Sequence, residues 1–281
     1  MEVSMNLANL FEHSQNLPNI PKVVQELIET FNQSDFNMDE IAKKISLDPV
    51  LTAKVLRLAN CAHYGVSRTV SSTTDASVLL GFSTLRTLVL ASGITGAMQS
   101  PPGFNRKEFW QDNFAVAAIA KWMAPYSKMN PETAFTAGML YSIGELLIQL
   151  IMPEESKKIN ATVEAGGVLS NVENAMLGFN YADVGAELAI RWKFPDEIAE
   201  AIRFQNHEDL ATINQPMACL IHLALYVHNS HKMGLNTSEI INGFPMNIAQ
   251  AINMDTDQAL SHLESTNGIE SGMDTLLDDI A

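Results

Sequence analysis

The amino-acid sequence predicts an all-α protein. Apolar residues recur at the three- and four-residue spacing of a helical face in almost every segment, and no convincing run alternates between apolar and polar residues. Hydrophobic residues make up 47% of the 281 residues, which is enough to bury a sizeable core. Proline and glycine punctuate the chain at intervals that suit helix ends. We therefore expect more than a dozen helices.

Capping signals predict the helices of the N-terminal third. Asn37 followed by Glu40 has the spacing of a capping box. Asp48 followed by Pro49 is typical of a helix start, and this helix should run to about Asn60. Further helices are expected at about 21–33, from Asp75 to near Gly81, and after a cap at Ser83.

The sequence Pro101-Pro102-Gly103 is the best internal boundary on composition. We expect an N-terminal arm at 1–16, a main domain at 17–232, and an acidic helical tail at 233–281. The main domain could divide into subdomains at 17–100 and 104–232. Later helices are expected at about 106–124, 131–151, 154–165, 170–177, 182–193, 195–205 and 215–232, with two small helices in the tail and a frayed end after Gly268.

Charge is distributed unevenly. The chain has 17 Lys and Arg against 32 Asp and Glu, a formal net charge of −15, and no basic residue follows Lys232. The last 49 residues therefore carry −8, whereas the stretch 43–107 has eight bases and two acids. A chain this acidic is a poor binder of duplex DNA, because affinity there comes from neutralising phosphates. We expect no nucleic-acid partner, although a local basic face could bind an acidic protein.

The N-terminus and the cysteines indicate a cytoplasmic protein without disulfides. Cys61 and Cys219 lie far apart and lack metal-type spacing. The N-terminus has no basic and apolar regions of a signal peptide. No apolar run approaches the roughly 18 residues of a membrane span, since Lys121 interrupts the candidate at 114–124. We expect no membrane partner.

Short motifs give little independent evidence of chemistry. The chain has no GxGxxG, GxxxxGK[ST], GxSxG or HExxH pattern. One helix carries Cys219, His222, His228 and His231, but the two pairs lie on different sides of it, so a metal site is the lesser alternative. Residues 77–98 have the outline of a helix-turn-helix, yet Arg86 is nearly alone among residues able to contact DNA, so core packing is favoured.

Several spaced motifs together carry a resemblance to a known family. LPNIPKVVQELIETF, ISLDPVLTAKVLRLANCAHYG and SVLLGFSTLRTLVL are followed in order by FWQDNFAVAAIAKWMA, AFTAGMLYSIGELLI, ENAMLGFNYADVGAELAIRWKFP and AIRFQNHED. This order resembles the HDOD domain of bacterial signalling proteins, over about Leu17 to Tyr226. The resemblance implies a multi-helix fold related to HD-superfamily metal-dependent phosphohydrolases, and a role in signal transduction or regulation.

The resemblance also indicates where the metal ligands of an HD enzyme would fall. The first histidine position is Asp112, and the remaining positions are Tyr141, Ser142, Tyr181, Gln205, Asn206 and, by a loose alignment, Leu225. Only Asp112 keeps a strong anionic donor, and His207 lies one residue beyond the paired positions. Amides, phenols and hydroxyls compete poorly with water for a catalytic metal. We therefore expect no bound metal, no cofactor and no enzymatic activity.

The polar groups that replace the ligands have two interpretations. They could hydrogen-bond each other and fill a former metal cavity, because buried polar groups need partners. Alternatively, they could form a site for a small nucleotide or an anion. The first interpretation is favoured by the residue types alone.

The function that we expect is a non-catalytic regulatory module that binds signalling proteins in trans, since the chain has no room for an attached receiver or cyclase domain. The candidate docking face for an acidic partner comprises Lys43, Lys44, Arg57 and Arg86. Ordinary solvated helix faces would produce the same pattern. The acidic tail could cover this face or compete with the partner. The alternative function is a metal-dependent phosphohydrolase or phosphodiesterase with a divergent site.

Overall fold

The computed structural model describes residues 7–12, 18–31, 37–60, 69–98, 101 and 103–269. Across these ranges the ordered elements are helices, with no strand, which confirms the predicted all-α class. The chain divides near residue 100 into two compact units. The smaller unit contains residues 18–99, and the larger contains residues 1–17 and 100–271.

The described residues of the smaller unit form four helices, arranged around one long element. These are α2 (Lys22–Phe31), α3 (Met38–Ser46), α4 (Pro49–Ala59) and α5 (Thr73–Ala97). Helix α5 contacts the other three, and Ile41, Ile45 and Leu85 are fully buried. Gly81 interrupts α5 with a φ of 74°, a backbone conformation that glycine adopts without steric cost.

Asn37 and Asp48 cap α3 and α4 as predicted, but the hydrogen bond to Asn37 comes from Asp39 and not from Glu40, as the predicted capping box requires. The Asn37 side chain accepts a hydrogen bond from the backbone of Asp39, and the Asp48 side chain accepts two at the start of α4. The helix predicted to begin at Asp75 begins earlier, because Ser72 Oγ accepts the backbone N–H of Asp75 and caps α5 instead. Side-chain capping thus follows the sequence signal where no nearby residue competes for the same N–H groups.

The larger unit is built around α6 (Arg106–Met123), which packs against α7 (Pro131–Leu140) and α13 (Pro216–Lys232). Trp110, Phe114 and Phe135 lie fully buried at its centre. The remaining helices are α1 (Leu7–Glu12), α8 (Ile143–Ile151), α9 (Pro153–Glu164), α10 (Leu169–Leu177), α11 (Tyr181–Arg191), α12 (Asp196–Phe204), α14 (Thr237–Asn242), α15 (Met246–Ala251) and α16 (Thr256–Ser261).

The acidic segment after Lys232 is part of the larger unit as far as residue 269. It forms α14, α15, α16 and a 3-10 turn at Leu263–Thr266, so the expectation of two small helices was wrong. Several of its apolar residues are buried, including Phe244 and Leu263. The Tyr226 hydroxyl also donates to the carbonyl of Ile240. Residues 270–281 lie outside the described part of the chain.

The segment Pro131–Ile151 was expected to be one helix, but it is two. The chain turns at Tyr141 and Ser142 between α7 and α8. The whole segment is 21 residues long and apolar enough to match a membrane span, so the expectation that no apolar run approaches that length was wrong. However, 72% of its most apolar window is buried within the protein, as in the core helices of globular domains. The bent α5 meets the same criterion only if its two parts are counted as one span.

Helices α8 and α11 approach each other closely at Gly144. A Cβ atom there would collide with the backbone oxygen of Tyr181 and lie 2.6 Å from the backbone nitrogen of Gly185. Backbone atoms cannot move aside as a flexible side chain can. Because Gly144 has no side chain, the turn at 141–142 can lie directly beside the start of α11.

We expect Gly144→Ala to destabilise the protein by about 1–3 kcal/mol, since the added methyl forces α8 and α11 apart. Urea unfolding followed by circular dichroism measures this change. Gly96→Ala is the matched control, because Gly96 is exposed in α5 and a Cβ there meets nothing within 4 Å. The control should be neutral or slightly stabilising. Equal stabilities of the two variants would contradict the close approach.

Candidate functional site

The structure brings the predicted site residues together in the larger unit. Tyr141, Ser142, Tyr181 and Asn206 line one cavity of about 540 Å³, to which Leu225 also contributes. A second cavity, of about 230 Å³, is lined by Asp112 and shares Tyr141 and Ser142 with the first. Gln205 is fully buried behind them.

Most of these polar groups hydrogen-bond to protein atoms. Ser142 Oγ and the Asn113 amide exchange hydrogen bonds of 2.9 and 3.1 Å, and both residues are buried. Gln205 Nε2 donates to the Tyr141 carbonyl at 2.7 Å, and Asn206 Nδ2 donates to the Tyr181 hydroxyl at 2.6 Å. These contacts fit the interpretation in which the former ligand positions satisfy one another. They also fix the orientation of the cavity walls.

Asp112, the one anionic donor among the ligand positions, contacts two side chains of α13. Its Oδ2 accepts from Lys232 Nζ at 2.8 Å, and its Oδ1 lies 3.2 Å from His228 Nε2. Burial alone would raise the pKa of Asp112, but the hydrogen bonds and charges of His228 and Lys232 together hold it below its usual value. The same contact to Asp112 raises the pKa of Lys232.

This arrangement does not suit a catalytic metal. A hydrolytic zinc site needs about three protein donors converging on one point. Within residues 7–12, 18–31, 37–60, 69–98, 101 and 103–269, no group of three or more His, Cys, Asp or Glu side chains is arranged to hold a metal ion. The ammonium of Lys232 already neutralises Asp112. The residues present therefore do not fit the metal that the fold family implies.

The histidines and the cysteine of α13 point to different neighbours. Cys219 is buried and donates to the Leu210 carbonyl at 3.4 Å. His222 Nδ1 lies 2.8 Å from the Gln205 carbonyl oxygen, whereas His228 contacts Asp112. Helical spacing alone could suggest a shared site, but the packing separates these groups.

Glu145 is a site residue that sequence reasoning missed. It lies in the first turn of α8 and lines both cavities. Its Oε1 accepts a hydrogen bond from Gln149 at 3.1 Å, and burial raises its pKa to about 7. The sequence does offer a signal for this residue, because Glu145 is the one charged residue in the otherwise apolar helix IGELLIQLI.

A second carboxylate, which is fully buried, lies behind the cavity wall. Glu173 of α10 is 1% exposed and accepts the backbone N–H of Tyr181 at 2.7 Å. Burial raises the pKa of Glu173 to about 7. Burial also raises the pKa of the Tyr181 hydroxyl to about 12, so this group stays neutral. Two carboxyl groups, those of Glu145 and Glu173, thus lie in or behind the cavity wall.

The predicted docking face in the smaller unit needs one correction. Arg86 is only 6% exposed, because its position on α5 faces the core, so it cannot belong to an accessible face. Lys44 is partly buried and donates to Thr30 Oγ1 at 2.8 Å. Lys43 and Arg57 are exposed.

A shallow groove of about 390 Å³ lies on α4 in the same unit. Its lining residues are Pro49, Val50, Ala53, Lys54 and Arg57. Val50, one of these lining residues, is 63% exposed. Leu47, two residues before the start of α4, is 75% exposed.

Replacing Glu145 tests its electrostatic environment. Because the pKa of Glu145 is raised from its ordinary 4.5 to about 7 on folding, its contribution to stability is complete below pH 4.5 and is lost as the pH rises through 7. Glu145→Gln should remove that loss and make the protein more stable at pH 8 by roughly 1–3 kcal/mol. Urea unfolding at pH 5 and pH 8 measures the difference. The exposed Glu164→Gln is the control, and equal pH profiles of the two variants would count against a buried carboxylate.

Comparisons with known proteins agree with the fold and with the predicted resemblance. A family model described as the HDOD domain matches residues 17–208. A solved structure from Shewanella amazonensis SB2B, named "Putative phosphohydrolase", is 33% identical, with a TM-score of 0.79 over 97% of this chain and 98% of that one. An HDOD domain protein of unknown function from Geobacter sulfurreducens is 22% identical, with a TM-score of 0.77 over 98% and 97% of the two chains.

Two further relatives are longer than the matched region. A "Putative signal transduction protein" from Marinobacter aquaeolei VT8 is 22% identical, with a TM-score of 0.68 over 93% of this chain and 61% of that one. An uncharacterised protein from Treponema pallidum (strain Nichols) is 24% identical over 203 residues, which are 71% of this chain and 39% of that protein. The family match covers well over half of the sequence, and the chain belongs to the HDOD family.

Proposed function

We propose that this protein is a non-catalytic regulatory module that acts by binding other signalling proteins. The observation that carries the proposal is the state of Asp112, whose two carboxylate oxygens contact His228 and Lys232. A carboxylate paired with an ammonium is not available to a metal unless that ion pair breaks. A module of this family without metal chemistry retains binding as its means of action.

The alternative, a metal-dependent phosphohydrolase, has the name of the Shewanella amazonensis relative in its favour. The donor set argues against it. Neutral tyrosine, serine, asparagine and glutamine side chains stand where histidines and aspartates would bind the ion. Such groups do not lower the pKa of a bound water toward 7.

The groove on α4 is the surface that we favour for a protein partner. It combines exposed apolar groups with basic residues, a pattern suited to an acidic partner that also has an apolar contact. Lys54 and Arg57 line the groove, and the exposed Lys43 of α3 is the third basic residue that we include in the docking surface. Lys44 and Arg86 are left out because they are partly or fully buried. Solvated helix faces remain the competing interpretation, and charge reversal separates the two.

Phosphoesterase assays with added Mn²⁺ or Mg²⁺ should show no turnover above that of a buffer blank, because the described residues provide no donor set that would hold the ion. A metal-dependent HD phosphohydrolase assayed in parallel provides the positive control. Elemental analysis of the purified protein should give far less than one equivalent of transition metal. Stoichiometric metal together with phosphoester hydrolysis would overturn the non-catalytic proposal.

Reversal of the three basic residues as Lys43→Glu, Lys54→Glu and Arg57→Glu should weaken capture of acidic partners at least tenfold at low salt, since the electrostatic attraction becomes repulsion. Partners captured from native extract by the wild-type protein are identified first, and their affinities are then measured with purified components across a salt series.

The matched control reverses three exposed basic residues of the larger unit, Lys157, Lys158 and Arg203. Both triple variants change the net charge by the same amount. Equal losses of affinity would indicate a general charge effect, and unchanged binding by the α4 variant would exclude this surface.

A further inference from the structure

The larger cavity has a lining with an unusual chemical bias. It contains three tyrosines, one carboxylate and four apolar side chains, but no Lys or Arg among its described lining residues. The full set is Tyr141, Ser142, Glu145, Leu169, Tyr181, Asn206, His222, Leu225, Tyr226, Asn229, Ser230, Met233 and Leu235. Its volume of about 540 Å³ lies within the usual range for small-molecule sites.

Glu145 is the charged group of this lining. Two other carboxylates lie nearby: that of Asp112 is paired with Lys232, and that of Glu173 accepts the backbone N–H of Tyr181. Glu145 instead accepts a hydrogen bond from the neutral amide of Gln149. Burial disfavours the ionised form of the Glu145 side chain and raises its pKa to about 7. A cation in the cavity would remove that cost, since charge pairs interact strongly away from bulk water.

Three tyrosines, Tyr141, Tyr181 and Tyr226, line the same cavity as the Glu145 carboxylate. The hydroxyl of Tyr181 accepts from Asn206 at 2.6 Å, and that of Tyr226 donates to the Ile240 carbonyl at 2.9 Å. These contacts hold two of the rings in fixed orientations. Ring faces attract ammonium groups, and several rings around one site are the usual means of recognising alkylammonium ligands.

The apolar residues complete the site. Leu169 and Leu225 line the cavity, and the side chains of Met233 and Leu235 are 77% and 37% exposed. Apolar lining residues would contact the carbon body of a ligand whose ammonium group sits near Glu145. An anion would instead meet a carboxylate, with no Lys or Arg in the described lining to neutralise it.

We propose that this cavity binds a small organic cation, an ammonium group carried on a compact apolar body. The ammonium pairs with the Glu145 carboxylate between the rings of Tyr141, Tyr181 and Tyr226, and the apolar body lies against Leu169 and Leu225. The inference goes beyond the proposed function, and either can fail while the other stands, because ligand binding is measured without any protein partner.

Isothermal titration calorimetry of the full chain at pH 8 tests the proposal with choline, putrescine and agmatine as probes. At least one should bind saturably. The neutral isostere of choline, 3,3-dimethylbutan-1-ol, separates charge from shape, and it should bind at least tenfold more weakly than choline if choline is the probe that binds. Inorganic phosphate and AMP are the anionic comparison, and neither should bind.

Glu145→Gln keeps the size of the side chain and removes its charge, so it should weaken binding of the cationic probe at least tenfold. The exposed Glu164→Gln is the control and should leave the affinity unchanged. Thermal unfolding of the same samples verifies that each variant is folded. If Glu145→Gln does not fold, Leu225→Lys serves in its place, since it puts a competing ammonium at the cavity wall and should also abolish binding.

Three results would overturn the proposal: no saturable binding of any of the three cations, equal binding of choline and its neutral isostere, or an affinity that Glu145→Gln leaves unchanged. Binding of phosphate or AMP in place of the cations would identify an anion site and would equally exclude it.

Discussion

The contact of Asp112 with Lys232 and His228 is the interaction on which the chemistry of the larger unit depends. A half-buried carboxylate between two helices needs a positive partner, because an unpaired charge away from water is costly. In an HD enzyme the metal supplies that positive charge, whereas here α13 supplies it from within the chain. The ion pair joins α6 to α13 and occupies the one anionic donor. Glu145, in contrast, has no cationic partner among the described residues that line the two cavities.

The close approach at Gly144 determines where the other site residues lie. With α8 against the start of α11, the turn at Tyr141 and Ser142 meets Tyr181 across the cavity. Hydrogen bonds then stabilise this geometry, and one of them runs from the Gln205 side chain to the Tyr141 carbonyl. The site is therefore held by backbone proximity and amide contacts, where an HD enzyme would use coordination bonds. Such a cavity keeps its shape without a metal and remains open to another ligand.

Local signals in the sequence predicted local structure well, and the resemblance placed the six candidate pocket positions in one region. The caps at Asn37 and Asp48 depend on residues two or three positions away, so the sequence contains them. The pairing of Asp112 with Lys232 spans 120 residues and follows no spacing rule. The burial of Arg86 was missed for the same reason, since the packing of α5 decides which of its faces is covered.

Division into units also changes the meaning of the net charge of −15. Residues 18–99 contain seven acids and seven bases and are neutral, whereas residues 100–271 contain twenty acids and ten bases and carry −10. The basic stretch 43–107 crosses this boundary, so its excess of +6 is not a property of one surface. Attraction of an acidic partner to α4 must then come from the local arrangement of Lys43, Lys54 and Arg57. Exposed Leu47 and Val50 add an apolar contact that salt does not screen, so binding there should weaken with salt without disappearing.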